Sequence, residues 1–202
     1  MSDNAEQYYF IRSNRDVVEN LPKLAEDDKT FNRNYSFEAQ VPGSPPLFFS
    51  NSYKEKFKKR GWPILNPLPE VLFNGVNLLV SKDIKEELSK FSIPHLHPHP
   101  AVYIHDDGEW HENYWFLTFV DEFDCWDRKT SKYLGDDFDP DEDDDFEVLK
   151  FRLNQDLLDS TPLEGRLLFK MGRTSTGMIT CHESIKHLFD CSGVELERVS
   201  DY

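Results

Sequence analysis

Short apolar runs separated by polar and turn-forming residues set the rhythm of this chain, and most of them read as strands. Residues 8–12, 101–104, 114–120, 146–153 and 165–171 are β-rich or alternating, and the most apolar of them is YWFLTFV at 114–120. Helical spacing replaces this pattern in two places. Within GVNLLVSKDIKEELSKF, residues 75–91, a short apolar strand is followed by Ile84, Leu88 and Phe91 at i, i+4 and i+7, with Ser81 placed as N-cap and Asp83 in the first turn. GMITCHESIKHLFDCSGVELERV, residues 177–199, repeats the plan: Ile185, Leu188 and Phe189 share a helical face, and Thr180 and Glu183 have capping-box spacing. Gly193 then stops the helix before a closing strand at 194–198. These elements predict an α+β fold, a mixed or antiparallel sheet with two short strand-then-helix units packed on it.

The N-terminal part is less regular. VPGSPP places Pro42, Pro45 and Pro46 where neither helix nor central strand is favoured, and Pro63, Pro67 and Pro69 make WPILNPLPE irregular. Between them KEKFKKR, residues 54–60, predicts a short basic helix ending at Gly61. The expected organisation is an irregular segment, 1–60, packed on an α+β domain, 61–202, as one compact unit. GRTSTG, residues 172–177, reads as a turn between strands, because it lacks the Lys-Ser/Thr pair with which a phosphate loop touches phosphate and metal.

Composition sharpens the class. With 202 residues, 38% hydrophobic and 14% aromatic, the chain can bury a sizeable core. The formal charge of −15 argues against a nucleic-acid partner, since phosphate binding requires clustered Lys and Arg. Residues 121–147 hold thirteen acidic side chains against Arg128, Lys129 and Lys132, so this stretch alone carries −10. MSDNAEQYYF has no basic stretch leading into an apolar one, and the longest apolar runs are far too short for a span, so a cytoplasmic protein with no membrane partner is expected. Cys125, Cys181 and Cys191 are odd in number and lack C-x-x-C spacing, which predicts buried free thiols, without disulfide framework or zinc ribbon.

Three constellations could carry chemistry. His95, His97 and His99 alternate in PHLHPHP and could present three imidazoles on one side of a strand, with Asp106 or Asp107 completing a metal site; this is the basis of an alternative reading as a metal-dependent enzyme. GDDFDPDEDDDFE, residues 135–147, is dense in hard oxygen ligands but fails as a calcium loop. Counting from Asp137, the sixth position is Glu142 where a Gly is needed, and the twelfth is Val148 where a Glu is expected. The adjacent Cys181 and His182 begin a helix and point in different directions, so they do not form a nucleophile and base. No cofactor is expected. The acid run reads either as a solvated, self-repelling loop or as an interaction surface, since a strongly negative segment speeds encounter with a basic protein and rejects acidic ones; an acidic adaptor with several weak partners is the other alternative. Around the segment, Trp115 fits a core role, whereas Trp110 and Trp126 lie in polar settings and qualify as interface anchors.

In order along the chain, VSKDIKEEL, the block YWFLTFVDEFDCWDRKTS, then VLKFRLNQDLLDSTPLEGRLLFKM and ITCHESIKHLFDCSGVELERV give residues 60–202 a pattern that resembles an immunity-protein family of bacterial polymorphic toxin systems. The resemblance implies a small cytoplasmic antidote, without enzymatic activity, that protects its producer by stoichiometric binding of a cognate toxin encoded by the adjacent gene. It lends no catalytic residues. The first sixty residues and the length of the acid run depart from the family pattern, and partner specificity is expected there. Charge and placement make Trp126, Asp136, Asp137, Asp139, Asp141, Glu142, Asp143, Asp144 and Asp145 the expected toxin contact, with a basic nuclease-type toxin as the matching partner.

Overall fold

A computed structural model describes residues 4–14, 21–64, 66–134 and 145–202. Among these residues the fold is mixed α+β and mostly sheet. Its strands are β1 (Tyr8–Ser13), β2 (Leu24–Glu26), β3 (Leu47–Asn51), β4 (Val71–Asn74), β5 (Asn77–Ser81), β6 (Leu96–Ile104), β7 (Trp110–Phe119), β8 (Lys132–Leu134), β9 (Glu147–Lys150), β10 (Leu168–Lys170), β11 (Ile179–His182) and β12 (Val194–Arg198). Three short α-helices join them: α1 (Lys54–Arg60), α2 (Lys82–Leu88) and α3 (Gln155–Ser160). None of the described helices is long and apolar enough to cross a membrane.

Two principal sheets stand where one is expected. The first has the order β10-β11-β1-β12 and is antiparallel throughout; the second, β2-β3-β6-β7-β5-β4, contains one parallel pair, β3 with β6. A separate two-stranded ribbon, β8-β9, completes the set. The strand expected at residues 8–12 is present as β1, and within the first sixty residues, otherwise expected to be irregular, β2 and β3 are strands as well. β1 is an inner strand that pairs with β11 and β12, and β3 pairs with β6. These partners lie far along the chain, so nothing in the local pattern of the N-terminal residues signals them.

Alternation along the strands distributes the core into three clusters. On β1, Tyr9 and Ile11 face a layer shared with Leu117 and Phe119 of β7 and Leu78 and Val80 of β5, whereas Tyr8 and Phe10 face Trp126, Phe151 and Phe169 on the other side. The opposite face of the second sheet packs Tyr114 and Phe116 against Leu47, Phe49 and Tyr35. With both faces of each sheet covered, the strands need not alternate with polar residues, which accounts for YYFI and YWFLTF. Thr118, the polar member of the latter run, is buried and donates its hydroxyl to Tyr35 O at 2.9 Å.

Local chemistry shapes the short helices. In α1 only Phe57 is buried, and Gly61, at φ 66°, ends the helix while Trp62 N–H reaches back to Phe57 O at 3.0 Å. Ser81 ends β5 and accepts from Ile84 N–H at 3.4 Å as the N-cap of α2. Phe91, expected on the helical face, lies beyond the last turn and is exposed. Residues Glu183–Leu188 form a 3-10 helix and no α-helix, and its cap is His182, whose Nδ1 accepts from Ser184 N–H. Thr180 cannot serve as the capping residue, because it stands inside β11, buried and paired with Phe10.

Candidate functional site

The acidic corner after β7 is built by main-chain bonds that splice it into the first sheet. Phe123 N–H donates to Lys170 O at 2.9 Å and Gly172 N–H to Phe123 O at 3.0 Å, so the chain runs beside the end of β10. A Cβ on Gly172 would lie 3.0 Å from Asp124 N, so a larger residue there would press on the backbone of the corner. Asp127 N–H then donates to Arg152 O and Asn154 N–H to Cys125 O, each at 2.7 Å, which fixes the corner to the segment after β9.

Most carboxylates of the corner itself are already engaged. Arg128 forks onto both oxygens of Asp124 and spreads its guanidinium 3.9 Å from the Trp126 ring centroid. Asp127 accepts from Lys129 N–H at 2.8 Å and from Thr130 Oγ1 at 2.9 Å, holding a tight turn. Glu122 pairs with the buried Lys170 at 2.9 Å. The charge left over resides in Asp121, in the run from Asp136 to Asp145 and in Glu147.

That run connects the two strands of the β8-β9 ribbon. On the inner face, Tyr133 and Val148 are register partners and join Trp126, Phe146 and Phe151 in the core. Edge-to-face contacts tie the rings together: Trp126 to Tyr133 at 5.3 Å, Tyr133 to Phe146 at 5.1 Å and Trp126 to Phe146 at 5.9 Å. The 172–177 turn, as expected, links β10 to β11, and it also grips the ribbon. Phe146 N–H donates to Arg173 O at 3.2 Å and Ser175 N–H to Phe146 O at 3.0 Å. On the outer face Leu134 is 53% and Leu149 51% exposed, one on each strand. The sequence reading missed these two leucines. Their signal is the pairing of neighbours, Tyr133 with Leu134 and Val148 with Leu149: in a strand, adjacent residues point to opposite faces, so when one of each pair packs on the core beneath the ribbon the other faces away from it.

Trp126 requires a correction. It is 2% exposed and its Nε1–H donates to Gly172 O at 3.1 Å, so it is a core residue that supports the ribbon from below and offers no ring to a partner. Asp145 is exposed two residues before the second strand of the ribbon, while Asp136, Asp137, Asp139, Asp141, Glu142, Asp143 and Asp144 lie outside the described residues. Trp110 is half-exposed at the start of β7, with Lys29 Nζ 4.7 Å from its ring; Trp115 is half-buried against the core shared by the two sheets.

The histidines do not assemble. His99 is buried with Nε2 2.9 Å from Pro45 O, His97 is exposed on the same strand, and His95 lies 3.8 Å from Asp121. His105 instead bonds Asp107 at 2.8 Å. Among the described residues, no group of three or more His, Cys, Asp and Glu side chains is placed to hold a metal ion, and the three imidazoles of the alternative reading are not brought together. Cys181 is no nucleophile either. Burial pushes its thiol up to about 12, and both ring nitrogens of His182 are engaged, Nδ1 with Ser184 Oγ at 2.9 Å and Nε2 with Gln7 at 3.2 Å. Cys125 is likewise buried, its thiol raised by desolvation, and Cys191 is pushed up to about 11.

Neither a family model nor a curated protein matches this chain.

Proposed function

We propose that this protein is an immunity protein of the cytoplasm that neutralises a cognate toxin by binding it one to one and covering its working surface. The observation that carries the reading is the β8-β9 ribbon. A run containing eight carboxylates between residues 136 and 145 joins two strands whose inner faces are locked into an aromatic core and whose outer faces expose Leu134 and Leu149. Apolar residues give such a surface desolvation energy; the surrounding charge gives it encounter rate and selectivity for a basic partner.

A toxin that acts on nucleic acid fits this surface best, because its substrate cleft must be lined with Lys and Arg and a row of carboxylates can occupy that cleft as phosphates would. Binding requires no chemical step from the antidote. The test is growth rescue. Expression of the neighbouring gene product alone should arrest growth, and co-expression with this chain should restore it and yield a co-purifying complex. A neighbouring product that is toxic yet neither rescued nor bound would refute the proposal.

A further inference from the structure

On the near side of the acidic corner, a pocket of about 190 Å³ opens where the ends of the two sheets meet. Its walls include Phe119 from β7, Phe123 from the corner, and Leu168 and Phe169 from β10; its rim carries Asp121 and Glu122. Phe123 and Phe169 meet edge to face with centroids 5.1 Å apart, so the apolar part is firmly packed. Small-molecule sites usually enclose about 300 Å³ or more, and this volume suits a single side chain better than a metabolite.

The chemistry of the rim narrows the choice. Glu122 is neutralised by Lys170 at 2.9 Å. Asp121 is not neutralised in this way: one oxygen accepts Glu122 N–H at 2.9 Å, and the other lies 3.8 Å from His95 Nδ1, beyond hydrogen-bond length. A carboxylate that is two-thirds exposed and lines the same pocket as aromatic side chains matches a cation on an apolar stem. Arginine meets the requirement more fully than lysine, since its planar head can take a carboxylate with two donors and lie against aromatic rings, and arginine is enriched among the residues that dominate interfaces.

We infer that this pocket receives one arginine side chain of the partner, with its stem against Phe123 and Phe169 and its guanidinium on Asp121. The inference rests on the proposed function for its biological meaning, but its test does not need the toxin. Capped arginine (N-acetyl-arginine methylamide) should shift the amide resonances of Phe123, Leu168 and Phe169 in the full-length protein and saturate at millimolar concentration. Asp121→Asn, an exposed isosteric change that leaves the fold intact by circular dichroism, should weaken that saturation at least fivefold. Capped citrulline, the same shape without charge, should produce no saturable shift. Equal shifts from citrulline, an unchanged response in Asp121→Asn, or shifts spread over the acidic surface without saturation would each overturn the inference. Growth rescue in the co-expression assay would be unaffected by such a failure.

Discussion

Trp126 sits in sequence between Cys125 and Asp127, with Arg128 next, and in space beneath the ribbon, where its indole touches Tyr133, Phe146 and Phe151. Trp126→Ala should therefore destabilise the fold by about 3–5 kcal/mol, the usual range for truncating a buried aromatic ring. Trp126→Phe should cost less, about 1–3 kcal/mol, mainly from leaving Gly172 O without its donor. Urea denaturation of the two variants checks the order; a loss below 1 kcal/mol for Trp126→Ala would contradict the core assignment. Local composition misleads at this residue because the polar neighbours look like solvent-facing groups. In fact Arg128 binds Asp124 and lies over the indole, and Asp127 holds the turn through Lys129 N–H, leaving the indole free to point inward. Thr180 misleads in the same way: its spacing to Glu183 is right for a cap, but the ladder with β1 holds it in a strand.

The elements differ in how plainly the sequence announces them. α1 and α2 are legible because Gly61 and Ser81 mark an end and a start with side-chain or backbone chemistry of their own. β3 is not, since Leu47–Asn51 follows two prolines and depends on a parallel partner, β6, some fifty residues later. The ribbon lies between these extremes: its residues look like strands, but only the pairing of β8 with β9 reveals which leucines face outward. Replacing Leu134 and Leu149 together by Ser should change stability by no more than about 1 kcal/mol, as is usual for surface positions, at roughly 0.5 kcal/mol each. The same double variant should release the toxin at least tenfold faster in surface plasmon resonance. An unchanged dissociation rate would remove the ribbon's outer face from the contact.

At the scale of the whole molecule the chain carries −15, of which residues 121–147 account for −10; under the proposed function, charge concentrated in this way serves rate and selectivity more than affinity. Reversal of four acids, Asp136, Asp137, Asp143 and Asp144 to Lys, should slow association at least tenfold at low salt. It should also flatten the dependence of the rate on ionic strength, because screening at about 8–10 Å would have less attraction to weaken. Unaltered association kinetics in stopped flow at low salt would rule out the acid run as the steering surface. The central claim, neutralisation by stoichiometric covering, is tested most directly by titrating the purified protein into a fixed concentration of its cognate toxin and following the toxin's activity. Activity should fall in a straight line and reach zero at one equivalent; inhibition that is complete well below one equivalent, or absent at a large excess, would contradict it.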